Sequence, residues 1–524
     1  VLETSGVREA GLAFRVAGAE KREPILKITK VFGPPGSGKT TFLLSIVEHE
    51  LESGVSPARI GYFAFTRKAA NEAKERGVAK FPHLSPDTDF PWFRTLHSLA
   101  YRCLGLGTKD MMGAEHYQEF AREAGITLNT DTGEEDFIVK TDHPILNEIN
   151  IARIKGLDLR EHYNRSEIQI EWYFFELIER AYRHYKEARN LLDFTDLLEL
   201  IVQQPDRLPR LEALIIDEAQ DLSPLQWRLV EQLALRAQRC FLAGDDDQAI
   251  YTWAGADVAS FLNFSGEIKV LDQSYRVPAK VHALANSVVH RIRTRQPKTW
   301  RARAEEGSVQ YYDDWHSVDI TNGDWLVLAA ANYMLTDLHD WLKAQGLLFE
   351  RFGQRSIPEA VLTAVIGWER LRKGQEVPFN VVQTIYKYLD TKLVKHGYKG
   401  LRTADPSALY TMDSLKEKHG LLSTAIWHEA LAKISENQRH YLIAVLRRGT
   451  RLTGRVPIKL STIHAAKGGE ADNVLLIGDL TTKFAREYDR NADDINRLLY
   501  VALTRAKKSL HIVMPKDERK GFRL

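Results

Sequence analysis

The run Gly33-Pro34-Pro35-Gly36-Ser37-Gly38-Lys39-Thr40 fits the pattern G-x-x-x-x-G-K-[ST]. Its glycines let successive backbone N–H groups turn inward on phosphate oxygens, and a helix starting there adds its positive end. In that setting Lys39 reaches the β- and γ-phosphates of a nucleoside triphosphate and the Thr40 hydroxyl ligates Mg²⁺. Thr41 opens the helical run that follows. Farther along, Leu214-Ile215-Ile216-Asp217-Glu218 is an apolar stretch ending in two carboxylates. Asp217 suits holding Mg²⁺ through water, and Glu218 suits orienting and activating an attacking water. Alone, such an ending is as easily a solvated strand end. Beside the glycine loop it reads as the second half of a phosphoryl-transfer site.

These residues need strands to present them. Short apolar runs at 25–32, 60–65, 214–216 and 240–243, and again at 325–330, 459–462 and 474–478, are each followed by a loop and a helical pattern. Strands alternating with helices predict parallel α/β sheets, and the two groups predict two such cores. Apolar residues at three- and four-residue spacing predict helices over 114–124, 168–188, 361–371 and 421–446. These read as insertions into the cores.

A chain of 524 residues exceeds what one core supports. Lys and Arg number 72 against 70 Asp and Glu, so net charge announces no nucleic-acid partner and any basic groove must be local. Cys103 and Cys240 stand far apart and outside any C-x-x-C pattern, which excludes a cysteine-rich metal site or a disulfide framework and fits a reducing compartment. No apolar run approaches the roughly 18 residues that span a bilayer, and residues 1–20 lack the apolar stretch of a secretory signal. The expected location is the cytoplasm.

Beyond the phosphate motifs the sequence resembles superfamily 1A helicases of the UvrD/Rep/PcrA branch, as a short bacterial or phage-type member. Asp217-Glu218-Ala219-Gln220-Asp221 resembles motif II. Phe63-Ala64-Phe65-Thr66-Arg67-Lys68-Ala69-Ala70 resembles motif Ia, and Arg94-Thr95-Leu96-His97-Ser98 the next DNA-contact segment. Asp193-Phe194-Thr195-Asp196-Leu197-Leu198 matches the run before motif II. The segment from Gly244-Asp245-Asp246-Asp247-Gln248 through Tyr251-Thr252-Trp253-Ala254-Gly255-Ala256-Asp257 resembles motif III. Leu271-Asp272-Gln273-Ser274-Tyr275-Arg276 resembles motif IV, Ser461-Thr462-Ile463-His464-Ala465-Ala466-Lys467-Gly468-Gly469-Glu470 motif V, and Leu499-Tyr500-Val501-Ala502-Leu503-Thr504-Arg505-Ala506 motif VI. The motifs run in order from residue 33 to residue 506, nearly the whole chain.

The resemblance implies a fold: two RecA-like parallel-sheet P-loop cores, each with a mainly helical insertion. The implied domains are 1–104 with 192–268 (first core), 105–191 (its insertion), 269–371 with 451–524 (second core) and 372–450 (a reduced insertion). It also implies roles. Gln248 senses the γ-phosphate, Tyr275 stacks on the adenine, Arg276 and Arg505 stabilise charge on the transferred phosphoryl group, and Glu470 bonds a ribose hydroxyl. Phe65, Tyr251 and Trp253 stack on bases, while Thr66, Arg67, His97 and His464 contact the strand's backbone. The implied activity is ATP- and Mg²⁺-dependent 3′→5′ movement on single-stranded DNA with duplex unwinding. The implied partners are single strands, single-strand/duplex junctions, and repair or replication proteins, with no membrane. An ATP-gated translocase subunit that needs a partner to unwind is the alternative. A P-loop enzyme acting on a small molecule would leave Arg276, Arg505 and Trp253 without a purpose.

Three features depart from the family pattern. Residues 1–29 contain no Gln to read the adenine edge, Ala254 stands where an Arg usually follows the Trp, and Gly469 replaces the usual Leu. The densest basic stretch, Arg291 to Arg303, reads as a solvated helix face or a phosphate contact. The acidic stretch 131–136 reads as a loop.

Overall fold

The computed structural model describes residues 27–64, 66–86, 88–132 and 139–524. Apolar runs in the first half form strands β1 (Lys27–Phe32), β2 (Ile60–Phe63) and β3 (Phe93–Arg94). A short antiparallel hairpin, β4 (Thr130–Thr132) and β5 (Val139–Thr141), comes next. Then follow β6 (Leu211–Ile216), β7 (Ala237–Gly244) and β8 (Glu267–Val270). Apart from the hairpin these strands make one parallel sheet in the order β3-β2-β6-β7-β1-β8. Alternate residues of a strand face opposite sides. Thus Phe32, Phe63, Leu214 and Ile216 enter one apolar cluster and Val31, Tyr62, Ala213 and Ile215 another. Burial on both faces is why the central strands end in apolar runs such as Leu214–Ile216. Strands β6, β7 and β1 are neighbours, so the loops leaving their C-terminal ends meet at one edge, where ligands of open α/β sheets bind.

The second half repeats the plan with β9 (Ser308–Tyr312), β10 (Trp325–Ala329), β11 (Phe349–Arg351), β12 (Gln354–Arg355), a separate pair β13 (Val377–Pro378) and β14 (Leu409–Tyr410), then β15 (Ile458–Thr462), β16 (Ala471–Ile477) and β17 (Ala506–Val513). Its sheet runs β12-β11-β15-β10-β16-β17-β9, parallel except for the edge strand β12. The same alternation sends Leu326, Leu328, Val474 and Leu476 to one core and Val327, Ala329, Leu475 and Ile477 to the other.

Between the helices Leu96–Leu104 and Phe194–Gln203 the first insertion comprises Ala114–Ala124, Pro144–Lys155, Leu159–Arg165 and Trp172–Arg189, with its own apolar centre around Phe120, Ile149, Phe175 and Tyr182. An ionic cluster ties it to the core. Arg153 donates to Asp193 (2.7 Å), Asp196 and Glu199 (2.7 Å), and Lys186 to Asp193 (2.6 Å) and Asp196 (2.5 Å). Between β12 and β15 lie the helix Glu359–Arg372, in the span expected to belong to the second core, and the helices Phe379–Tyr388 and Glu436–Arg447 of the expected insertion 372–450; they bury Trp368, Ile385 and Leu442 in the same cluster as Val327, Leu460 and Leu475 of the sheet.

Two expectations are corrected. The span 421–446 is not one helix. The Leu422 backbone N–H donates to Leu393 O at 2.9 Å, which holds that end extended. A one-turn helix Trp427–Ala430 follows, and Ser435 then caps a new helix with its Oγ on the Gln438 N–H. The basic stretch 291–303 is not a helix face. Past Val289 it runs as an irregular strap whose Arg295 and Lys298 are turned inward. Residues 25–26, Phe65 and most of the acidic stretch 131–136 lie outside the described residues.

Candidate nucleotide and nucleic-acid site

The glycine loop leaves β1 beside β7, with the Gly33 N–H donating to Gly244 O at 3.0 Å. Gly36 and Gly38 both take left-handed backbone (φ +69° and +77°), which side chains disfavour. Gly36 carries a second constraint, since a Cβ there would stand 2.3 Å from Cβ of Arg276. The segment after β8 lies directly on the loop: Ser274 Oγ donates to Pro35 O at 2.7 Å and the Tyr275 N–H to Gly36 O at 2.8 Å. Tyr275 is left 72% exposed, free to offer a ring face beside the phosphate loop. Thr40 and Thr41 lie in the first turn of the helix Lys39–Glu52.

Lys39 Nζ rests 3.0 Å from Glu218 Oε1. Burial alone would lower the Lys39 pKa, but Glu218, Asp217 and Asp245 outweigh it and hold the ammonium charged. The same pairing works in reverse on Glu218. Against the opposing push of burial, Lys39 and Lys467 hold it down at about 2, so it is an ionised base. Glu218 sits at φ +54°, a strained position for a residue with a side chain. Asp217, buried and next to Glu218, is pushed up to about 6 by desolvation first and by that neighbouring charge second. Tyr62 OH reaches it at 3.2 Å. The donors fit a hard divalent cation. A hydroxyl and a carboxylate stand at the phosphate loop, and a carboxylate whose ionisation is disfavoured by burial gains most from a cation. Ser37 Oγ, buried without a partner in the loop itself, marks the same polar cradle.

Gln220 joins the loops after β6 and β7. Its Nε2 donates to Glu218 at 2.5 Å, and its Oε1 accepts the Asp245 N–H at 2.9 Å. Gln248 then joins the two cores, since its Oε1 accepts from Arg505 Nη2 at 2.6 Å while its Nε2 donates to Asp245 at 2.6 Å. Arg505 is buried and further anchored on Val501 O and Gly469 O. Burial, then the nearby Arg276, push its pKa down to about 9. Lys467 crosses between the cores as well, bonding Asp221 and, at 3.0 Å, Gln248 O. Arg276 and Glu470 form an ion pair at 2.5 Å, and Lys507 holds the other Glu470 oxygen at 2.6 Å. The expected ribose-binding carboxylate is thus engaged with cations here.

Beneath this network lies a buried charge cluster that sequence reading missed. Lys298 Nζ, fully enclosed, lies 3.2, 2.6 and 2.5 Å from Asp245, Asp246 and Asp247. Arg295 grips Asp247 with two bonds of 2.8 Å, and Arg497 donates to Asp246 O at 3.0 Å. Three adjacent aspartates could hold a metal ion, but the ammonium already stands among them. Spacing alone gave no sign of it, because the cations arrive from a strap some 50 residues away.

The aromatic candidates gather where the cores meet. Trp253 is 62% exposed, with its ring edge-on to His464 at 5.9 Å. Tyr251 OH donates to His464 O at 3.1 Å, and Lys467 lies over the Tyr251 ring at 5.0 Å. Phe484, not singled out from sequence, extends the row, its ring 5.8 Å from His464. His464 is pushed down to about 4 by burial and then by Lys467, so it is neutral. His97 stacks on Phe194 at 3.5 Å and, desolvated, titrates near 3. It can offer a hydrogen bond to a phosphate but no charge. The Thr66 hydroxyl caps the helix Arg67–Lys80 by accepting the Ala69 N–H, and Arg67 is exposed at its start.

The residues 19–269 match the family model described as the UvrD/REP helicase N-terminal domain, and residues 422–517 the UvrD-like helicase C-terminal domain. The chain is 30% identical to the ATP-dependent DNA helicase PcrA of Bacillus subtilis (strain 168), over 53% of this chain and 39% of that protein. It is 31% identical to PcrA of Leuconostoc citreum, over 65% of this chain and 48% of that one. It is 24% identical to the putative ATP-dependent DNA helicase YjcD of B. subtilis, over 94% of this chain and 78% of the relative. The chain thus spans about half the length, or less, of the PcrA proteins it matches. Both ends of the motif series match the same family and meet across one cleft, and on these grounds the chain belongs to the UvrD/Rep helicase family.

Proposed function

We propose that this protein hydrolyses ATP to drive 3′→5′ movement along single-stranded DNA and to unwind duplex. The observation that carries this reading is the continuity of one short segment. Gln248 touches Arg505 at the phosphate side, and five residues on, Trp253 presents an exposed ring beside His464. A change at the nucleotide therefore moves the platform on which bases would stack.

The chemistry follows from the pairs described above. The triphosphate displaces Glu218 from Lys39, and the phosphates take the ammonium. Losing that cation raises the basicity of Glu218, which is then suited to accept a proton from the attacking water. Thr40 and Asp217 would hold Mg²⁺, which would supply neutralisation of the charge that builds on the phosphates during transfer. Arg276, released from Glu470, and Arg505 approach the γ-phosphate from the second core, and Tyr275 stacks on the base. ATP thereby bridges the cores, and its hydrolysis removes the bridge. Repair or replication partners, and a cytoplasmic setting, belong to the same reading. No helix among the described residues is long and apolar enough to cross a membrane.

A second reading, a translocase that needs a partner to unwind, is favoured by Ala254 beside Trp253, whose methyl group brings no charge of its own to the strand. Strand displacement on duplexes with a 3′ tail, a 5′ tail or no tail separates the two. Unwinding from the 3′ tail alone supports the helicase. DNA-stimulated hydrolysis without unwinding supports the translocase, and no stimulation by DNA rejects both.

A further inference from the structure

We propose that Lys155, at the C-terminal end of the first insertion's helix Pro144–Lys155, is a phosphate contact for the strand lying across Trp253. This rests on the single-strand reading above and adds a residue to it. The helix reaches the turn after Trp253 because Gly255 has no side chain. A Cβ there would stand 2.6 Å from Cδ1 of Ile154 and 3.9 Å from Cε of Lys155. Gly255 also has φ +100°, so glycine is required twice over. The Lys155 side chain therefore lies against the Gly255 turn, two residues past the exposed Trp253.

Several cations around this turn are already engaged, while Arg228 lies on the other side of Lys155, at Gly156. Lys467 is bonded to Asp221 and Gln248 O. Lys483 and Arg490 both lean on Glu167, at 3.7 and 3.5 Å. Arg497 is taken up by Asp494, Asp246 O and Thr294 O. His464 is neutral. Two residues before Lys155, Arg153 is saturated by three carboxylates. Among the described residues no carboxylate lies within ion-pair distance of Lys155, and its side chain is half-buried rather than extended into water. Single-strand tracks combine stacking rings with cations for the backbone phosphates, and Ala254 offers none.

The test is fluorescence anisotropy of a labelled oligothymidylate with the full chain, across a range of salt concentrations. For a single strand each phosphate contact adds about 0.7 to the slope of log K against log salt. Lys155→Ala is expected to lower that slope by about 0.7 and to weaken binding about three- to tenfold at low salt. Lys155→Arg is expected to retain both, and Lys373→Ala, an exposed lysine just past the helix Glu359–Arg372, to change neither. An unchanged slope in Lys155→Ala, with the parent protein binding normally, overturns the assignment. So does an equal loss in Lys373→Ala, which would reduce the effect to net charge. If the parent protein fails to bind the oligonucleotide, the single-strand reading itself falls, and this assignment with it.

Discussion

Arg505 and Gln248 lie in different cores, yet the guanidinium donates to the amide oxygen at 2.6 Å in a site from which water is excluded. The contact fixes where a charge from the second core meets the loop after β7. An arginine aimed at a transferring phosphoryl group contributes about 10³-fold or more to turnover. Arg505→Ala is therefore expected to lower kcat for ATP by roughly that factor with a much smaller change in KM, read by steady-state hydrolysis in the presence of single-stranded DNA. Equal losses in kcat/KM and binding would instead make Arg505 a structural strut.

Glu218→Gln keeps the shape that Lys39 and Gln220 recognise but removes the base. Hydrolysis should fall by about 10²- to 10⁴-fold while binding of a fluorescent ATP analogue persists. Lys39→Ala should lose binding as well. Turnover near the parent rate in either variant would place the chemistry elsewhere.

Asp217 titrates near 6 rather than near 3.8. A raised carboxyl pKa favours the folded state below the unfolded value, and the advantage is lost as pH rises through 6. Above pH 6, without a divalent ion, the buried carboxylate opposes folding. Asp217→Asn should then raise the melting temperature at pH 7.5 in chelator, by the equivalent of ~1–3 kcal/mol, and abolish the further gain on adding Mg²⁺ with nucleotide. For the parent protein, the Mg²⁺ concentration needed for half-maximal hydrolysis should climb as pH falls below 6. A flat requirement from pH 7.5 to 5.5 would remove Asp217 from the cation's ligands.

Lys298→Met leaves Asp245, Asp246 and Asp247 enclosed with one fewer cation. Removing one partner from a buried ionic cluster typically costs about 3–5 kcal/mol. Adding Asp246→Asn should restore part of the loss, because it removes one of the stranded charges. Denaturant unfolding of the single and double variants measures this, and a double variant less stable than the single would contradict it.

Trp253→Ala removes one stacking surface worth about 1–3 kcal/mol. The concentration of oligonucleotide that half-maximally stimulates hydrolysis should rise by about 5- to 150-fold, and an unchanged value would return this ring to a packing role.

The phosphate loop and the Asp217-Glu218 strand end were legible because their chemistry is local: glycines, lysine and carboxylates act within a few residues of one another. Strands such as the one ending at Leu214–Ile216 were legible because burial on both sides leaves an apolar run, whereas β3, β8, β9 and β11, at or next to the sheet edges, carry no such run and were not legible. What the sequence hid depends on contacts across long separations. Nothing near Lys298 announces that it will be enclosed by three aspartates from another element. Nothing near Phe484 announces His464. The span 421–446 misled because helical spacing of apolar residues continues through 421–426, where the backbone in fact pairs with the segment around Leu393. There the tertiary partner overrides the local period.

The second insertion has a consequence for what can be cut away. Its helices do not close on a separate centre; Ile385 and Leu442 share one apolar cluster with Val327, Leu460 and Leu475 of the sheet. The segment is therefore the lining of that sheet rather than an appendage on a swivel. Trimming it would bare the sheet's face to water and invite self-association, and no rotation of it as an independent body is available without first parting that shared interior.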